Sequence, residues 1–207
     1  MDTPQLWPTY AHETELMESG SYSCIVGIDE AGRGPGAGPV VACAIHIPAD
    51  DAKRLSGRVQ DSKKLSRKER QTLFRVLATG FPHGIGIVDN RMIDQINILE
   101  ATKLAIRQAA GQIKAADYAL IDGNMKLEDF HIPYQSIVKG DGLILSIAAA
   151  SIVAKETIDR IMETCHEEYP MYGWDRNKGY LSQKHMEAIQ KYGPTPYHRL
   201  SFRKVGR

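Results

Sequence analysis

Short apolar runs alternate along the chain with segments whose apolar positions recur every three or four residues. Ser23–Asp29 is a compact apolar run ending in two acids and predicts a buried strand. Val40–Ile47 predicts a second strand. Only a turn-rich loop separates the two, so they are expected to pair antiparallel. His83–Val88, Tyr118–Ile121 and Tyr134–Val138 read as three further strands. Ser66-Arg-Lys-Glu69 has the form of a capping box and should open a helix reaching about Ala78. Apolar residues at Ile98, Ala101, Leu104, Ala105 and Ala109 predict a helix over Ile96–Ala115. Leu143–Glu168 reads as a long helix. Its small residues, Ala148 to Ser151 and Ala154, would let it sit close against a sheet. Ser182–Lys191 predicts a last helix. Together these elements predict an α/β fold, a five-stranded mixed sheet flanked by helices, with a helical C-terminal extension. Residues 1–20 read as a loosely attached extension with a short helix near His12–Glu18, residues 21–168 as the main domain, and 169–207 as a basic helical region.

Composition narrows the function classes. The formal net charge of +1 does not mark a nucleic-acid binder, but from Met171 to Arg207 eight basic residues face two acids. That asymmetry suits either a phosphate-facing edge or a solvated basic helix. Cys24, Cys43 and Cys165 are odd in number and form no C-x-x-C pair, so core thiols in a reducing compartment are expected. The seven histidines lack zinc spacing. No apolar run approaches the ~20 residues of a membrane span. The first twenty residues carry Glu13, Glu15 and Glu18 but no Lys or Arg, unlike a secretory or transit sequence. A cytoplasmic location and a monomer are expected.

Four acids sit where element ends could bring them together. Asp29 and Glu30 follow the first strand, Asp122 follows the fourth, and Asp141 precedes the long helix. Adjacent strand residues point to opposite faces, so Asp29 and Glu30 can converge only if the chain turns there. Clustered carboxylates repel unless cations neutralise them, and hard oxygen ligands select Mg2+ or Mn2+. Two such ions ~3.5–4 Å apart can activate a water and stabilise the leaving oxygen of a phosphodiester. Spacing alone leaves ordinary readings open: a solvated strand end for Asp29-Glu30, a turn for Asp122-Gly-Asn, a helix cap for Asp141. Gly32-Arg-Gly-Pro-Gly-Ala37 matches a dinucleotide fingerprint, but Pro35 and Pro39 interrupt it and a strand follows instead of a helix.

The run Gly27-Ile-Asp-Glu-Ala-Gly-Arg-Gly-Pro35 with Ala37-Gly-Pro-Val-Val41 resembles the opening of bacterial ribonuclease HII. The resemblance continues through Asp61–Ser66, Ile93–Leu99, Ile121–Asn124, Lys139–Asp141, Ser146–Lys155, Lys178–Tyr180 and His198–Phe202. It implies a ribonuclease H-like fold. It also implies cleavage of RNA–DNA hybrids, and cleavage 5′ to a ribonucleotide in duplex DNA, leaving 3′-hydroxyl and 5′-phosphate ends. By residue-wise match, Asp29, Glu30, Asp122 and Asp141 would hold two Mg2+ or Mn2+ ions. Gly32, Arg33 and Gly34 would read the 2′-hydroxyl together with Tyr180. A 2′-hydroxyl is the group that separates RNA from DNA at a given site, and glycines let backbone approach a sugar closely. Lys63, Lys64, Lys139, Lys178 and Arg199 are candidate phosphate contacts. Three positions depart from the family pattern. Gly36 replaces a larger apolar residue and implies a more mobile loop. Leu181-Ser182 replaces Gly-Thr beside Tyr180. Ile158 replaces a basic residue before Asp159.

Overall fold

The structure is a computed structural model and describes residues 7–206. In chain order its elements are α1 (Ala11–Glu18), β1 (Ile25–Ala31), β2 (Val40–His46), α2 (Ala49–Leu55), α3 (Arg67–Gly80), β3 (His83–Val88), α4 (Asn90–Ala110), β4 (Tyr118–Asp122), β5 (Tyr134–Ile137), α5 (Leu145–Glu168), α6 (Trp174–Asn177) and α7 (Gln183–Tyr192). The five strands form one sheet in the order β3-β2-β1-β4-β5. The first three run antiparallel, as the short β1–β2 loop predicts, while β4 and β5 join parallel.

The alternation along β1 divides the core. Val26 and Ile28 pack with Ala101, Ala105 and Ala109 of α4. On the other face, Val41, Cys43 and Ile45 of β2 pack with Ala148, Ala149 and Ile152 of α5. The small residues of α5 do what their size suggests: a Cβ placed on Gly27 of β1 would fall inside the backbone of Ser146. Among the described residues, no helix is long and apolar enough to cross a membrane.

Several boundaries move for identifiable reasons. The Ser66–Glu69 capping box opens α3 as predicted. Helix α4 starts well before Ile96, because Asp89 caps Met92 N–H. A break at Asn97 (φ 67°) then restarts it, with Asn97 Oδ1 accepting from Leu99 N–H and Glu100 N–H. The periodicity over Ile98–Ala109 therefore marks only the second half. Helix α2 carries Asp50, Asp51, Lys53 and Arg54 in seven residues and gives no apolar stripe to read. Cys43 and Cys165 are buried free thiols, and Cys24 is half-buried.

The N-terminal segment is tied down more firmly than a loosely attached extension. Thr9 exchanges backbone hydrogen bonds with Leu143 and Leu145. Glu13 is buried, and its Oε1 accepts from Ser146 N–H (3.1 Å) and Ser146 Oγ–H (2.7 Å). It thereby supplies the first turn of α5 with a partner that its own N-cap, Ile144, lacks. The first six residues of the expected extension lie outside the described residues.

Gly27→Ala is expected to lower the unfolding free energy by about 1–3 kcal/mol or more, since backbone rather than a flexible side chain must yield. Urea denaturation reads this. An unchanged midpoint would mean that α5 does not depend on this close approach.

Candidate active site

Strand register builds the acidic site. Ile28 lies opposite Ile121 in the parallel β1–β4 pair, so the next residues, Asp29 and Asp122, follow as neighbours. Asp29 shares the α5 side with Gly27, by the alternation of strand side chains. Asp141 arrives from the 3-10 turn Gly140–Gly142 before α5, and its N–H donates to Asp122 Oδ1 at 3.4 Å. One carboxylate oxygen from each of Asp29, Asp122 and Asp141 lies within 4.8 Å of the others. Asp141 does not cap α5, whose N-cap is Ile144. Asp122 closes β4 in register with Ile137, immediately before the bend at Gly123 (φ 89°), and is a member of the cluster.

Glu30 is arranged differently. The chain does not turn after Asp29: β1 stays in register with β2 through Ala31. Alternation sends Glu30 toward the α4 side, where it shares a cavity with Asp122, Leu99 and Lys103. Its Oε1 lies 3.2 Å from Arg33 Nη1, and its buried Oε2 has no hydrogen-bond partner. Asp122 borders this cavity while belonging to the triad, so it links Glu30 to the other acids.

The electrostatics ask for a cation. Burial, with Glu30 and Asp122 beside it, pushes Asp29 well above the ordinary carboxylate range. Burial also raises Glu30, although Arg33 opposes the shift. Asp141 is raised by burial and by Asp122. Three converging carboxylates, all oxygen donors, and an orphaned buried oxygen on Glu30 fit a hard divalent cation.

Beside the acids a cavity of about 370 Å³ is lined by Asp29, Glu30, Gly32–Pro35, Lys155 and Tyr180, among others. The glycine loop is held from behind by Arg199. Arg199 was expected to contact phosphate, but it is fully buried (0% exposed). Its guanidinium donates to the carbonyls of Gly32 (2.6 Å), Arg33 (3.0 Å), Gly38 (2.9 Å) and Pro39 (2.7 Å). Burial lowers its pKa to about 10, which leaves it charged at neutral pH. A planar fork with five donors suits this task, and a lysine would not.

On the open side, Tyr180 is 53% exposed and stands over Gly34. A buried relay holds its backbone. Thr195 N–H donates to His198 Nδ1 (2.8 Å), which leaves the His198 proton on Nε2. That proton points at His185 Nε2 (3.0 Å), which also accepts from Trp174 Nε1–H (3.2 Å). His185 therefore carries its own proton on Nδ1 and donates it to the Tyr180 carbonyl at 2.9 Å. Burial lowers the pKa of both rings, that of His198 to about 4, so the neutral tautomers hold at neutral pH.

The lysines divide. Lys63 is exposed with its Nζ 3.7 Å from Asp141 Oδ2; Lys64 beside it in the chain and Lys139, two residues before Asp141, are exposed as well. Lys178 borders the cavity, but its ammonium sits 2.7 Å from Glu163. Ile158 is a core residue packed against Gly32. Gly36 does not loosen its loop: it is buried, its N–H donates to Gly179 O, and its carbonyl accepts from Arg199 N–H. Sequence reasoning missed Arg70, whose guanidinium joins buried Glu156 (2.6 Å) to Asp159 (3.5 Å) and the Ser62 carbonyl. Asp159 in turn pairs with Lys155 (2.6 Å) at the cavity wall. No spacing signals Arg70, because it lies on an exposed-looking helix.

A raised carboxylate pKa means that the folded, metal-free chain binds more protons than the unfolded one. Stability must then fall as pH rises above the ordinary Asp value of 3.8. Asp29→Asn removes that repulsion. In chelator at neutral pH it should unfold at a higher temperature than the unaltered chain, with the gap closing toward acid pH. Mn2+ should reverse the order, because it binds the intact triad. A less stable Asp29→Asn in chelator would mean that the acids are not crowded.

The ribonuclease HII family model matches residues 26–205. A ribonuclease HII from Acetivibrio thermocellus is 51% identical over 196 residues, spanning 93% of this chain and 74% of that protein. The PCNA:RNase HII complex from Archaeoglobus fulgidus contains a similar fold, with TM-score 0.75 and 25% identity over 87% of this chain and 96% of that one. Bst-RNase HIII in complex with Mn2+ shares the fold at TM-score 0.75 and 20% identity, over 90% of this chain and 69% of that one. The chain therefore belongs to the ribonuclease HII family and is a ribonuclease H endonuclease.

Proposed function

We propose that the enzyme cuts 5′ of ribonucleotides, both in RNA–DNA hybrids and singly embedded in duplex DNA, and so serves ribonucleotide removal from DNA. The observation that carries this reading is the shared cavity: Asp29, a member of the acidic triad, and Glu30 line one space with the Gly32–Gly34 loop and Tyr180. A nuclease blind to the sugar would need the acids alone. The loop offers backbone groups at close range, and Tyr180 offers a ring and a hydroxyl. Both suit a ribose whose 2′-hydroxyl is to be recognised.

Asp29, Asp122 and Asp141, with Glu30 beside them, would hold two Mg2+ or Mn2+ ions. When bound, these supply the charge that favours the attacking water and the departing 3′ oxygen, giving 3′-hydroxyl and 5′-phosphate ends. Arg33 Nη1 sits 3.2 Å from Glu30 Oε1 and offsets part of its charge. Lys63, Lys64 and Lys139 would contact phosphates without reading sequence, while residues 169–207 complete the substrate site through Tyr180 and Arg199. The protein would act as a cytoplasmic monomer.

A duplex DNA carrying one ribonucleotide, incubated with Mn2+, tests the reading. Cleavage on the 5′ side of that ribonucleotide is expected, and an intact duplex beside a degraded long hybrid would refute junction recognition. Asp122→Asn should lower the rate about 100-fold or more while duplex binding persists. Unchanged cleavage would remove Asp122 from the chemistry. Tyr180→Ala should cost about tenfold at the lone ribonucleotide and leave Mn2+ binding unaltered. Equal loss of both would make Tyr180 structural.

A further inference from the structure

We propose that Leu181 is a positioning residue for Tyr180, filling the side-chain space left by Gly36 and so seating the tyrosine on the glycine loop. The proposal rests on the junction reading above and adds a determinant to it.

Two consecutive residues stand over two alternate glycines. A Cβ on Gly34 would lie 3.2 Å from Tyr180 Cε1, while a Cβ on Gly36 would lie 2.6 Å from Leu181 Cδ2 and 2.7 Å from its Cγ. Gly36 has no left-handed φ, so its backbone would accept a side chain. What excludes one is the leucine. The two segments cannot simply part around a larger residue. Gly36 N–H is bonded to Gly179 O at 2.9 Å, and its carbonyl accepts Arg199 N–H at 2.9 Å.

Tyr180 needs this support because its own ring is half open to solvent. Its backbone is fixed by Asn177 O, His185 Nδ1 and Ser182 N–H, all within its own segment and none from the glycine loop. Those bonds set the orientation of the segment. Within the spacing fixed by the Gly36 N–H to Gly179 O bond, the apposition of Leu181 on Gly36 sets how closely the Tyr180 ring seats on the loop. Gly36 and Leu181 thus face one another as a small–large pair. Truncating the leucine frees the tyrosine to back away from Gly34, and enlarging the glycine pushes it off. A displacement of about 1 Å at a substrate-positioning group can cost up to 100-fold in rate.

The experiment measures kcat/KM on duplex DNA with one ribonucleotide for Leu181→Ala, Gly36→Val and the double variant. Each single change should lower it about tenfold, and the double should recover most of the loss. Leu181→Met, which keeps the volume, should retain the rate. The Mn2+ concentration for half-maximal rate should stay constant throughout, separating seating of Tyr180 from damage to the acids. Full activity in Leu181→Ala overturns the proposal. So does a double variant whose losses merely add, because additivity means the two positions do not act through one contact. If the unaltered chain cuts the lone ribonucleotide and coupling is absent, only this proposal falls. If it leaves that substrate intact, the junction reading falls and takes this one with it.

Discussion

Mutual repulsion among Asp29, Asp122 and Asp141 is the constraint on which the rest of the molecule depends. Three carboxylates within 4.8 Å at the end of a buried strand pair oppose folding unless something holds them and something neutralises them. What holds them is covalent and hydrogen-bonded order. Parallel pairing of β1 with β4 sets Asp29 beside Asp122, and the approach of α5 over Gly27 delivers Asp141. The first turn of α5 is meanwhile served by Glu13 from a distant segment. Asp141 is therefore free of capping duty and available to a ligand.

The glycine loop poses the opposite problem. A loop rich in glycine loses much conformational entropy on ordering, yet a site for a sugar needs a fixed surface. The loop is stiffened from outside. Four carbonyls converge on the Arg199 guanidinium behind it, while Tyr180 and Leu181 stand against its glycines in front. The relay Thr195–His198–His185 then ties the tyrosine backbone to the same C-terminal stretch that supplies Arg199. The region beyond α5 is thus built into the site.

Much of this was legible in the amino-acid order, and the gaps have physical causes. Strands announced themselves by apolar runs, and α3 by its capping box, because both signals are local. The four acids were visible as residues at element ends. That three of them converge while Glu30 turns toward Arg33 was not, since it depends on register and strand parity. Arg199 in a basic tail reads as a surface charge, and only the tertiary arrangement of carbonyls shows it to be internal. Glu13 looked like one of several N-terminal acids, because its partner Ser146 lies 133 residues away. Gly36 and Leu181 each read as a blemish until their contact made them one feature.

The most direct measurement is anomalous diffraction from crystals of the protein grown with Mn2+. The account predicts a peak within about 2.0–2.2 Å of carboxylate oxygens from Asp29, Asp122 and Asp141 together, beside the glycine loop. Density bound elsewhere, with those three side chains left unliganded, would contradict it.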